Sequence, residues 1–196
     1  MSRKTIEKLT VKDLQERLRE LSAKPVMFDQ TFMAERVERC RLLNRDAVKL
    51  FRASKNGHVE KLLWEETADL FHRSWNEAFP PNFWQDFEQL KNGYREGLST
   101  GLKFLEADPW FFRSGYVKAD LLRYVKKIEF TENETSRIER ILLKVVDTRD
   151  AREFRDYCQL ARVVKTEFLR SELEKRLVHS DQDICRRAKW MLRALN

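Results

Sequence analysis

The stretch FTENETSRIERILLKVV, Phe130–Val146, decides the fold class. Thr131 and Glu134 stand at the spacing of a capping box, in which a hydroxyl and a carboxylate three residues apart each satisfy a backbone N–H left open at a helix start. Behind them Ile138, Ile141, Leu142, Val145 and Val146 recur at three and four residues and so share one helical face.

The same period extends toward the N-terminus. Val117, Leu121, Tyr124 and Ile128 predict a helix over Tyr116–Ile128, and Asp108-Pro109 separates it from another over Tyr94–Ala107. Asn82 is placed to cap a short helix, FWQDFEQLK, between Pro80-Pro81 and Asn92-Gly93. Val59–Phe79 carries Trp64, Ala68, Phe71, Trp75 and Ala78 on one face. Thr31–Asn56 carries Met33, Val37, Cys40, Ala47, Leu50 and Ser54, with Asn56-Gly57 as its stop. Val11, Leu14, Leu18 and Leu21 predict a first helix over Thr10–Leu21, followed by the connector Pro25–Asp29.

Toward the C-terminus, Asp150 and Glu153 look like a variant capping box. The span Ala151–Val178 has no Gly or Pro, and Phe154, Cys158, Ala161, Val164, Phe168, Leu173 and Leu177 fit one long helix. They fit two helices broken near Lys165-Thr166 equally well, since periodicity does not arbitrate. A last helix is expected over Gln182–Leu195, with Ser180 or Asp181 as N-cap. No segment alternates at period two over five residues. The expectation is an all-α protein of nine or ten helices, either a multi-helix antiparallel bundle or a short helical-repeat stack. Residues 1–29 would form an N-terminal helix and connector, and 30–196 a single helical domain whose part 135–196 is repeat-like.

The last 28 residues of that part resemble a HEAT-type helical repeat. FLRSELEKRL stands as the first helix, HSDQD as the acidic turn and ICRRAKWMLRAL as the second helix. The matching positions are Asp181 or Asp183, Ile184, Arg187, Ala188, Leu192 and Leu195. Thirty residues earlier, Phe154, Cys158 and Ala161 fall where Ile184, Ala188 and Met191 do, although Tyr157-Cys158 replaces the arginine-alanine pair. The resemblance implies stacked antiparallel helix pairs that bind proteins or nucleic acids along an extended face.

The composition bounds the function. The chain has 196 residues, 5 Gly and 4 Pro, few breakers for its length. Thirty-nine basic residues against 32 acidic give a net charge of +7, which favours an anionic partner without requiring one. Three dispersed cysteines, Cys40, Cys158 and Cys185, suit reduced thiols in a cytoplasmic setting. The N-terminus has no apolar core of a secretory signal, and no apolar run reaches the ~18 residues of a membrane span.

Candidate sites follow from helix faces. Arg41, Arg45, Lys49, Arg52 and Lys55 recur at four, four, three and three residues, forming a stripe about 20 Å long opposite the apolar face. Like charges at such spacings oppose each other by a few tenths of a kcal/mol per pair. An anionic partner is therefore expected there, the plainer reading being pairing with acids elsewhere in the fold. On the last helix, Arg186, Lys189 and Arg193 oppose the face of Ile184, Ala188, Met191 and Leu195, with Arg187 and Trp190 at its flank. The plainer reading of that row is a solvated face. Arg123, Lys126 and Lys127 form a third basic cluster.

Thirteen of the 22 aromatic residues lie between Trp64 and Tyr116. Trp64, Trp75, Trp84 and Trp110 could line a pocket there, although aromatics at helix junctions are more often core. Gly93, Gly97 and Gly101 recur every four residues, as in a close helix contact, with Gly93 suited to a C-cap. Glu65, Asp69 and His72 share a face but lack a second ligand row, so no metal and no cofactor is expected. No nucleotide-binding or hydrolase motif is present. The sequence thus points to a non-enzymatic helical protein that engages nucleic acid or an acidic protein surface, and not a membrane. The alternatives are an enzyme or ligand-binding protein built on the aromatic middle, and a structural subunit with Trp84 or Trp110 as interface anchors.

Overall fold

A computed structural model describes residues 30–54, 57–149 and 152–196. The expected helix Thr10–Leu21, the connector Pro25–Asp29, the cation Lys55, the stop at Asn56 and the Asp150 half of the second cap lie outside these residues. The described residues form nine α-helices and one short 3-10 turn, with no strand. The chain divides into two compact units after Ala78. That boundary coincides with the Pro80-Pro81 break, inside the span treated above as one helical domain.

The first unit holds α1 (Gln30–Ala53) and α2 (His58–Glu77). Cys40, Leu43, Ala47 and Leu50 bury against Leu63, Leu70, Phe71 and Ala78. Arg36 donates to the Glu77 carbonyl at 2.8 Å, and Arg39 lies 3.4 Å from the Glu77 carboxylate. The N-terminal half of α1 therefore meets the C-terminal end of α2, where guanidinium groups satisfy the last carbonyls. One expectation needs correction. The buried face of α2 is Leu63, Thr67, Leu70, Phe71 and Ser74, and Trp64, Ala68 and Trp75 are half-buried at its side. Thr67 and Ser74 enter the core because their hydroxyls return to the Leu63 and Phe71 carbonyls at 2.7 and 3.1 Å. Polar residue type hid that face from a pattern read on apolar residues.

The second unit holds α3 (Phe83–Lys91), the 3-10 turn Arg95–Gly97, α4 (Leu98–Ala107), α5 (Ser114–Val125), α6 (Glu132–Thr148), α7 (Phe154–Val164), α8 (Glu167–Arg176) and α9 (Gln182–Leu195). The helix expected from Tyr94 begins only at Leu98. Gly93, at φ +85°, reverses the chain after α3, and its N–H and that of Tyr94 donate back to Leu90 and Gln89 at 3.0 and 2.9 Å. Gly97 then brings the 3-10 turn against the α3 backbone, and Gly101 leaves room for Leu121 and Leu90. The glycine spacing is therefore close packing, with Gly93 as the cap.

The Thr131–Glu134 capping box forms as expected. The span after residue 151 is two helices. Lys165 takes the left-handed conformation at φ +40°, and the Thr166 hydroxyl caps Leu169 N–H at 3.1 Å. The same hydroxyl donates to the buried Glu139 carboxylate. A contact from α6 thus fixes a break that periodicity left open.

After α3, helices α4–α9 pack as three successive pairs. α4, α6 and α8 follow one another in contact, and α5, α7 and α9 do likewise. Arg137 grips Glu106 through two bonds of 2.6 and 2.8 Å between α4 and α6, and Arg176 grips Asp147 at 2.7 and 2.8 Å between α6 and α8. Within the other layer Arg123 reaches Asp156, Lys126 reaches Gln159, and Phe154 meets Trp190. Two contacts 33 residues apart make α5 and α7 run parallel. α8 runs parallel to α6, through Glu139–Thr166 and Asp147–Arg176, and antiparallel to α9, with Arg170 beside Asn196, so α9 runs in the direction of α7, which itself returns along α6. Arg187, placed at the flank of the last helix by its position, is 4% exposed and donates to the Val146 carbonyl at 2.6 Å. The open carbonyl near the end of α6 draws the guanidinium inward.

Candidate anion-binding surfaces

α9 forms because Asp181 caps its start, accepting from Asp183 N–H at 2.8 Å. Ile184, Ala188, Met191 and Leu195 bury one face, so Arg186, Lys189 and Arg193 turn outward, all exposed. Trp190 leans toward α7, its ring 6.1 Å from that of Phe154, and carries the Arg186 guanidinium 5.2 Å above it. Arg186 also pairs with Asp183 at 3.1 Å. Lys189 and Arg193 have no hydrogen bond or ion pair among the described residues.

α7 adds two cations that the sequence reading did not single out. Phe154, Tyr157, Leu160 and Ala161 fill its inner face, which turns Arg155 and Arg162, seven residues apart, to solvent. Neither has a partner among the described residues. Their seven-residue spacing was readable in the sequence, but which neighbouring helices leave them uncovered was not. Together α7 and α9 carry Arg155, Arg162, Arg186, Lys189 and Arg193 outward, with Asp156 and Asp183 as their acids.

The α1 stripe is mixed. Arg41 lies 3.0 Å from Glu38, and Arg45 lies 3.4 Å from the buried Asp46. Lys49 and Arg52 are exposed and have no ion pair among the described residues. The Arg41 and Arg186 pairs are exposed contacts one turn apart, a class worth about 0.2–1 kcal/mol, so a multivalent anion can displace them. The third cluster is engaged within the fold. Arg123 sits 2.7 Å from Asp120, Lys126 donates to Gln159, and Lys127 lies 5.6 Å from the centroid of the Tyr124 ring.

The aromatic middle is largely a ring cluster. In the second unit Phe79, Phe83, Phe104 and Phe111 are buried, with Phe79 within 5.3 Å of the other three centroids. Trp84 packs on Phe79, Phe83 and Phe87, whereas Trp110 is 63% exposed. In the first unit Trp64 lies 5.4 Å from Phe51 and Trp75 is half-buried. Glu65, Asp69 and His72 are exposed on α2, and no metal-holding group of side chains occurs among the described residues. Burial pushes the thiols of Cys40 and Cys158 up to about 11, which keeps them protonated and poorly nucleophilic at neutral pH.

A buried charged network, marked by no local pattern of residues, lies at the N-terminal end of the α5–α7 layer. Lys118 is fully buried, its Nζ 2.5 Å from Asp108 Oδ1. Arg149 holds the same carboxylate at 2.7 and 3.3 Å and lies 3.5 Å from the buried Glu153. Burial alone would raise the Asp108 carboxyl, but hydrogen bonds and charge from Arg149 and Lys118 outweigh it and hold it below the ordinary range. The hydrogen bond from Arg137 likewise holds Glu106 low. A depressed folded value means stability that is complete above the unfolded carboxylate range, about pH 4, and lost as pH falls through the lower folded values. The thermal midpoint of wild type is therefore expected to drop steeply below about pH 4, and Asp108→Asn to flatten that slope, as calorimetry over a pH series would reveal.

No protein family, no curated protein and no solved structure matches this chain. No helix among the described residues is long and apolar enough to cross a membrane.

Proposed function

We propose that the protein is a non-enzymatic helical binding protein whose partner is anionic, a nucleic acid or an acidic protein surface. The observation that carries this reading is the row Arg155, Arg162, Lys189 and Arg193, exposed on adjacent parallel helices with no acid matched to any of them among the described residues. Cations left side by side repel one another, and a polyanion relieves that repulsion while releasing its own counterions.

We further read α4–α9 as a short HEAT-like stack. The layering of α4, α6 and α8 against one another, and of α5, α7 and α9, supports it, as does the division of 151–178 into two helices. In such stacks one layer of helices forms an extended binding face. Here the layer α5–α7–α9 carries the unmatched cations. The Lys49–Arg52 end of α1 is the second surface, favoured by the same lack of described ion partners.

Anisotropy of a labelled single strand titrated with the full chain tests the proposal. With four or five phosphate contacts, log affinity should fall against log salt with a slope of about −3, at ~0.7 per contact. Arg162→Glu with Lys189→Glu is expected to weaken binding at least about tenfold at low salt and to flatten the slope by about 1.4. Equal binding by wild type and this variant, at every salt concentration and for polyglutamate as well as for the strand, would remove the α7–α9 surface from consideration. Loss on Lys49→Glu with Arg52→Glu would move the site to α1.

A further inference from the structure

A helix with an apolar side must bury it against another element, and the first unit has such a side that α1 and α2 leave partly open. On α1, Val37, Asn44, Val48 and Phe51 recur at seven, four and three residues and share one flank. Val48 is 44% exposed and Phe51 50%. The Phe51 ring lies 5.4 Å from that of Trp64, which joins this flank to the Trp64–Ala68 flank of α2. α1 and α2 run antiparallel, since Arg36 and Arg39 meet Glu77 while Phe51 meets Trp64. The two flanks therefore form one shallow trough, with Val37, Trp64 and Ala68 half-buried along it. Elsewhere on α2, Leu62 shares its face with the exposed Glu66, Asp69 and Arg73, which makes that face a solvated one.

We propose that residues 10–21 of the same chain, which lie outside the described residues, occupy this trough as an amphipathic helix antiparallel to α1. The inference is independent of the anionic-partner reading. Val11, Leu14, Leu18 and Leu21 recur at three, four and three residues, the spacing of one apolar stripe. The length of chain before α1 fits. Residues 10–21 as a helix measure about 18 Å, and the nine steps from Leu21 to Gln30 span at most about 32 Å. Phe51 stands about 31 Å along α1 from Gln30. An antiparallel helix with Val11 beside Phe51 places Leu14 beside Val48 and leaves Leu21 about 16 Å from the start of α1, well within reach. A parallel helix covering Phe51 would need the connector drawn straight over its whole length. Pro25 falls within that connector, where a helix must stop before the chain turns back. A tether this short holds the segment at a millimolar effective concentration, which favours it over a second copy of the chain.

Hydrogen exchange on the unaltered full chain is the first test. The amides of residues 14–21 should exchange at least about tenfold more slowly than those of an unstructured chain, and Phe51→Asp should remove that protection. Disulfide trapping, in a full chain with Cys40, Cys158 and Cys185 changed to alanine, is the second. Leu14→Cys with Val48→Cys should close within one chain on mild oxidation, because the two Cα atoms would stand within the ~7 Å that a disulfide allows. Leu14→Cys with Asp69→Cys, and Leu21→Cys with Val48→Cys, should close at least about tenfold more slowly. Unprotected amides in the unaltered chain overturn the proposal whatever the variants do, as does protection that survives Phe51→Asp. Equal closure of the three pairs shows that the segment has no fixed seat and overturns it as well. A Leu14–Val48 bond found only at the mass of a dimer gives the trough to a second copy and overturns the intrachain assignment.

Discussion

Replacing Asp108 by alanine is expected to destabilise the protein by about 3–5 kcal/mol, the cost of removing one partner from a buried ion pair. The reason is geometric. Lys118 has no solvent exposure, and its Nζ faces Asp108 at 2.5 Å. Arg149 engages the same carboxylate. Without it two cations remain close together in a water-poor site, and the left-handed backbone at Asp108 loses a residue type that tolerates it. Lys118→Met should be milder, because Asp108 keeps Arg149 and the methionine fills the buried volume. Urea unfolding of both variants decides the matter through the order of the midpoints. If Lys118→Met proves the worse, the carboxylate is not the centre of the network. The Asp108→Ala variant should also loosen the loop that presents Trp110, since Asp108 anchors its first turn.

Gly97→Ala is expected to destabilise by about 3 kcal/mol, at or beyond the upper end of ordinary overpacking. An added Cβ at Gly97 would overlap the backbone carbonyl of Asp86, which cannot rotate away. Either the 3-10 turn must lift from α3, or the Thr100–Asp86 hydrogen bond must break. Gly101→Ala is the control on the same segment. Its Cβ would meet the Leu121 and Leu90 methyl groups at 3.1 and 3.2 Å, and side-chain tips give way readily. A cost of about 1 kcal/mol or less is expected there. Thermal midpoints that moved equally for the two substitutions would show that the α3 backbone is not the obstacle.

The helices were legible because their signals are local. Thr131 and Glu134 announced a cap, Gly93 a reversal, and Ser180-Asp181 a helix start, each through groups within a few residues. The outward direction of Arg186, Lys189 and Arg193 was equally local, since the period of the apolar residues fixes the opposite face. The buried face of α2 escaped because Thr67 and Ser74 satisfy their own hydroxyls on the helix, a condition that apolar spacing does not encode. Arg187 looked like a flank cation until the Val146 carbonyl was placed beside it, 41 positions away.

The sequence by itself determined an all-helical chain and the outward cations of its last helix, because capping and amphipathic spacing act within one or two turns. Only the tertiary structure decided that 151–178 breaks at Lys165, that Arg155 and Arg162 join Lys189 and Arg193 on one layer, and that Asp108, Lys118 and Arg149 share a buried site. Each of these depends on which helix lies beside which. That choice is made by burying whole faces together, and residues tens of positions apart carry no local mark of it.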